Sequence, residues 1–179
     1  MGKADPYHEG PPPLLQERFE AQEDEHRLLN YRRGALWAAI FIALGAGMDW
    51  VAFGSESAEG LRSIVGTLFL LRMACSCGLL FVLFLLYRVS SGSRRTLHLL
   101  GHLVALIPMV TIQGMLSETG GGGSPYYAGL NLVMVGSVLL LRWRCVDGAI
   151  SSTLCILGYL AVALSTSTSI QDITIALFF

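Results

Sequence analysis

The sequence predicts an all-α membrane protein: a bundle of five complete transmembrane helices plus a truncated sixth, with the N-terminus cytoplasmic. Three observations predict it. Of 179 residues, 53% are hydrophobic and only 14% are charged, where a soluble domain carries about a quarter charged. Mean hydropathy is +0.58. Apolar runs at 34–53, 61–87, 97–116, 126–141 and 149–164 each approach the ~20 residues that cross a hydrocarbon core. Inside lipid only a helix pairs all of its own backbone groups, so these runs read as helices rather than strands. The composition excludes a soluble enzyme domain and a disordered regulator. A net charge of −1 gives no general affinity for polyanions, so no nucleic-acid partner is expected.

Residues 1–33 form a polar tail. Pro11, Pro12 and Pro13 precede a stretch rich in helix formers, residues 14–33, and a proline suits the first helical position. Its apolar residues Leu15, Phe19, Leu28 and Leu29 make a weak stripe. The expectation is a short juxtamembrane helix, exposed or lightly docked. The remainder, 34–179, is the bundle. Its sixth run, 173–179, holds seven residues and would span only ~10 Å, so the chain reads as a fragment cut within a membrane helix.

Loop charge sets orientation. Lys3, Arg18, Arg27, Arg32 and Arg33 in the tail, Arg88, Arg94 and Arg95 in the second loop, and Arg142 and Arg144 in the fourth are ten of the twelve basic residues. The opposite side carries Arg62 among Glu56, Glu59, Glu118 and Asp172. Both chain ends are therefore expected inside.

Arg72 is the one basic residue deep within an apolar run, near mid-membrane. A charge there costs about 2.5–3.5 kcal/mol on insertion scales, so it should face the bundle or a wet cavity. Asp49, near the outer end of the first run, is its natural partner. Helical side chains lean toward their own N-terminus, and the two runs point in opposite directions, so the two charges lean toward each other. A static ion pair and one wall of a ligand or proton site are both open at this level.

His98 and His102 stand at i and i+4 on one helical face, a pair with metal-ligand spacing. Zinc takes four ligands, or three plus water, and no neighbouring Cys, Asp or Glu obviously completes the set, so polar packing is the expected role. No cofactor is implied. Cys75, Cys77, Cys145 and Cys155 show neither a CxxC pair nor secreted spacing, and behave as small hydrophobes. Ala39, Ala43 and Gly47, and likewise Ala74 and Gly78, recur every four residues and mark helix faces for close approach. Pro108 is expected to kink the third helix. Gly120 to Gly123 are expected to give slack between the third and fourth helices. With no GK[ST] after them they are not a phosphate loop.

Ser124-Pro125-Tyr126-Tyr127-Ala128-Gly129-Leu130-Asn131-Leu132 is the most specific stretch. Pro125 starts a helix. Two tyrosines stand at the outer interface, their hydroxyls expected toward water. Gly129 admits another helix, and Asn131 places an amide one turn below Tyr127. Grouped by depth, Asp49, Trp50, Arg72, Gln113, Tyr126, Tyr127 and Asn131 form a candidate ligand-binding set in the outer half of the bundle. An aromatic belt with a packing glycine is the plainer reading of the same residues.

This SPYYAGLNL run, preceded by a glycine-rich loop, resembles a pattern in the multi-pass membrane input domains of bacterial sensor histidine kinases and of class III adenylate and guanylate cyclases. The resemblance covers the helical region from about Arg33 onward, with its sharp part in those nine residues. It implies a sensory module in the bacterial cytoplasmic (inner) membrane that relays a signal to a kinase or cyclase. No phospho-accepting histidine motif, nucleotide-binding motif or cyclase carboxylate pattern is written in these residues, so catalysis is not expected within them. Expected partners are the lipid bilayer, a small-molecule or lipid ligand, and a second copy of the chain. A small transporter or channel subunit, or a non-catalytic assembly subunit, are the alternative classes.

Overall fold

A computed structural model describes residues 13–53, 59–89, 94–121, 124, 126–141, 143 and 145–166. Every regular element among them is helical apart from single turns. The α-helices are α1 (Pro13–Phe53), α2 (Glu59–Arg88), α3 (Arg94–Glu118), α4 (Tyr127–Leu141) and α5 (Cys145–Ser165). Four contain segments long and apolar enough to cross a membrane: Arg18–Val51, Ile64–Arg88, Arg95–Glu118 and Cys145–Ser165. This corrects the expected count of five complete spans. With 15 residues, α4 is only ~22 Å long at ~1.5 Å per residue, short of a ~30 Å hydrocarbon core. The sixth run, 173–179, lies outside the described residues, as do Pro11, Pro12 and Pro125.

The largest departure from expectation is at the N-terminus. The polar helix and the first apolar run are one uninterrupted helix of 41 residues. Nothing between them breaks it: Gly34 is a lone helical glycine, which costs about 1 kcal/mol against alanine. Nor is the polar half merely exposed. Asp24, Arg27, Leu28 and Tyr31 are buried, and Tyr31 lies against Gly101 of α3 so closely that a Cβ there would overlap its ring. Docking on α3 stabilises a segment whose own apolar stripe is weak.

The hub is α3, which touches all four other helices, while α1 pairs most extensively with α2 and also meets α4. The α1 seam runs through Tyr31, Ala35, Ala39, Ile42 and Asp49. There the Ser76 hydroxyl donates to the Ala39 carbonyl at 3.1 Å. The seam departs from the expected small-residue repeat: Ala39 is in it, but Gly47 and Ala74 are exposed. Steps of four residues advance about 40° past a full turn each, so such a row leaves the contact face after two steps. The real seam mixes steps of three and four. Pro108, buried, lies inside α3 without ending it.

Large apolar side chains face outward. Trp37, Phe41, Leu44 and Met48 on α1, Phe69, Phe81 and Phe84 on α2, Leu132 and Leu139 on α4, and Leu154, Leu157 and Leu164 on α5 are all exposed. Soluble monomers rarely show apolar surface this continuous. An apolar exterior around a core of alanine, serine, leucine and methionine is the distribution lipid requires.

Candidate functional site

The end of the bundle where α1 finishes and α4 begins carries a charged junction. Asp49 is in the last turns of α1 and 3% exposed. From α2, Arg72 grips it as a fork: Nε donates to Oδ2 at 2.5 Å and Nη2 to Oδ1 at 2.8 Å. The third guanidinium nitrogen, Nη1, donates to the Ile42 carbonyl at 3.3 Å. Two parallel N–H bonds fix orientation as well as charge. Tyr126, immediately before α4, donates its hydroxyl to Asp49 Oδ1 at 2.5 Å, and its ring centroid lies 5.8 Å from Arg72 Cζ. One carboxylate thus collects three donors from two other elements, and its charge is matched on the spot, which is what a buried ion needs.

Two local features make room for this. Gly45, one turn before Asp49, faces the Arg72 guanidinium, which a Cβ would overlap. The α3–α4 turn delivers Tyr126. Gly120 and Gly121 there have φ of 101° and 66°, the left-handed region that favours glycine. A Cβ on Gly121 would also overlap Thr166. Gly121 therefore makes a tight crossing rather than slack, whereas a Cβ on Gly120 would meet open space; Gly122 and Gly123 lie outside the described residues. Ser124, 1% exposed, shares a hydrogen bond with the Thr119 hydroxyl at 2.6 Å. Its own hydroxyl oxygen accepts the Tyr126 N–H at 3.3 Å, and its carbonyl accepts that of Tyr127 at 3.3 Å. The serine therefore ties the turn to the start of α4.

The expected outer-half set is only partly assembled. Asp49, Arg72 and Tyr126 meet. The Tyr126 hydroxyl turns inward to the carboxylate instead of toward water. Tyr127 is half-buried against the core, and Asn131 is half-buried with no hydrogen bond to its amide among the described residues. Trp50, next to Asp49 in sequence, points away and is 68% exposed: adjacent helical residues diverge by about 100°. Gln113 serves another contact. Its Nε2 donates to the Cys155 carbonyl of α5 at 3.1 Å, and it fills the space left by Gly158. Depth alone placed it near Asp49, but its face of α3 looks at α5.

At the other end the two histidines separate. The His98 Nε2 lies 3.5 Å from Arg27 Nη1 of α1. His102 faces α5: Ser151 Oγ is 3.4 Å from its Nδ1, Asp147 Oδ1 is 3.7 Å from its Nε2, and the Trp143 ring centroid is 5.2 Å away. An acidic neighbour is therefore present after all, though no cluster of three metal-ligating side chains occurs among the described residues. Tyr31, Asp147 and Ser151 escaped the sequence reading, and Arg27 entered it only as a charge that orients the tail. The one signal for Asp147 was an acid in the first turn of α5, where the helix dipole favours negative charge. Compared with family models, curated proteins and solved structures, the chain matches none.

Proposed function

We propose that this chain is the membrane-embedded input module of a bacterial signalling protein, with its N-terminus in the cytoplasm and the Asp49–Arg72–Tyr126 junction toward the outer face. The observation that carries the reading is that junction. Three separate stretches of chain meet at one buried carboxylate, and the third comes from the nine-residue run that resembles sensory input domains. A ligand that binds one arrangement of these helices better than another shifts their balance, and the junction joins the elements that would move. Catalysis is left to a kinase or cyclase outside these residues.

The residues encoded after Phe179 test the output half of this reading. An in-frame kinase or cyclase supports it, and an open reading frame that encodes neither overturns it in favour of a transporter or assembly subunit. Orientation is tested by impermeant thiol labelling of intact cells in a cysteine-free background. Ser117→Cys should label and Arg95→Cys should not. The reverse pattern inverts the topology.

A further inference from the structure

The opposite end of the α1–α2 seam holds a second arrangement of arginines with no role in the junction. Leu86 is in the last turn of α2, where carbonyls have no intrahelical partner. Arg32 of α1 supplies one, with Nε donating at 3.1 Å and Nη2 at 2.8 Å to the Leu86 carbonyl. The same guanidinium lies over the Tyr87 ring, its Cζ 4.6 Å from the centroid. A guanidinium carries five N–H donors. The carbonyl occupies one on Nε and one on Nη2, and the Nη1 pair has no hydrogen bond among the described residues. Held by a carbonyl on one edge and an aromatic ring on one face, Arg32 is a preset fork. Two residues after Leu86, Arg88 folds back over Phe84 with its Cζ 5.1 Å from the ring centroid, and its side chain is exposed.

The flank of this pair is apolar and open. Tyr87 is 66% exposed and Phe84 52%, and Leu80 continues the same α2 face one turn further into the span. From Arg88 to Leu80 is ~12 Å along the helix. Cationic forks at the end of a span, above a strip of exposed rings and leucine, match a molecule with an anionic head and an apolar tail. A soluble anion would use the arginines and leave the strip bare.

We infer that the α2 C-terminal end, through Arg32 and Arg88, is a binding site for an anionic phospholipid, with the phosphate on the two guanidiniums and an acyl chain along Tyr87, Phe84 and Leu80. Basic side chains at the membrane surface attract anionic lipid at about 1 kcal/mol each, which is about fivefold in retention per arginine. The site rests on the reading of the chain as a membrane protein, not on what the opposite end senses.

The test uses the full chain reconstituted in nanodiscs of phosphatidylcholine with a minority of phosphatidylglycerol, the lipids kept on release being counted by native mass spectrometry. Wild type should retain phosphatidylglycerol over phosphatidylcholine. Arg88→Gln should lower that preference about fivefold, and Arg32→Lys, which keeps charge but loses the fork, should lower it too. Arg95→Gln, an exposed arginine on α3 outside the strip, should lower it less than Arg88→Gln does, and an equal loss in the two reduces the effect to general surface charge and overturns the site. Arg32 also caps α2, so if its variant unfolds, Arg88→Gln decides. Equal retention of the two lipids by wild type, or an unchanged preference in Arg88→Gln, overturns the site. Release of the lipid by millimolar inorganic phosphate assigns the arginines to free anion and overturns it as well. A chain that folds but does not enter nanodiscs would sink the membrane reading itself, a result distinct from loss of lipid preference.

Discussion

Tyr126 donates its hydroxyl to Asp49 at 2.5 Å across 77 residues of sequence, and so the start of α4 is fastened to the end of α1 as well as to its own neighbours. Tyr126→Phe keeps the ring and removes only that bond. Hydrogen bonds to charged groups contribute about 1.5–3 kcal/mol, and a detergent melt of Tyr126→Phe should fall accordingly. Tyr127→Phe, whose ring packs against the core, should melt near wild type. Equal losses would mean the Asp49 contact contributes nothing special.

Asp49 and Arg72 should behave as one unit. Asp49→Asn or Arg72→Gln alone leaves a buried charge unmatched, at about 3–5 kcal/mol. The double variant should cost less than the sum, with a coupling of about 1–3 kcal/mol. A double-mutant cycle by thermal or denaturant melting measures this. Strict additivity would show that the charges stabilise the bundle independently.

Glycines separate by what they face. A Cβ on Gly101 would overlap the buried Tyr31 ring, whereas Gly47 has nothing within 4 Å. Gly101→Ala should therefore destabilise by about 1–3 kcal/mol through overpacking. Gly47→Ala should stabilise by about 0.5–1 kcal/mol through helix propensity alone. The same melting assay ranks the two, and the opposite order would remove α1 docking on α3.

Gly158→Ala should expel Gln113, because a Cβ would overlap its amide. Gln113→Leu loses the bond to the Cys155 carbonyl but keeps apolar contact. The first should cost more than the second, and in a Gln113→Ala background Gly158→Ala should become nearly neutral. A full cost in that background would trace the effect to some other neighbour.

Much of the helix pattern was legible because lipid-length apolar runs leave the backbone few choices. The Asp49–Arg72 approach was also legible, since two charges in apolar runs of opposite direction have few places to go. Rotational position was not. Nothing in the sequence separates Tyr126, which turns to Asp49, from Tyr127, which packs on the core, because the choice depends on how the Gly120–Gly121 turn aims the next helix. Gln113 and Asn131 share a depth with the junction but sit on other faces, and depth carries no azimuth. The docked half of α1 was hidden for a related reason. Its burial comes from α3, through Gly101 and His98, and a weak stripe read alone gives no sign of a waiting partner.

The unbroken α1 has a mechanical consequence. Its 41 residues make a shaft ~60 Å long, with Asp49 near one tip and Arg27 well below it. The 22 residue steps from Arg27 to Asp49 amount to six full revolutions plus about 40°, so both grip their neighbours from nearly the same side of the shaft. Asp49 holds α2 and the α4 start, while Arg27 meets His98 on α3. A rigid turn of the shaft that loosens the upper grip swings the lower one through the same angle, with no hinge between them to absorb it.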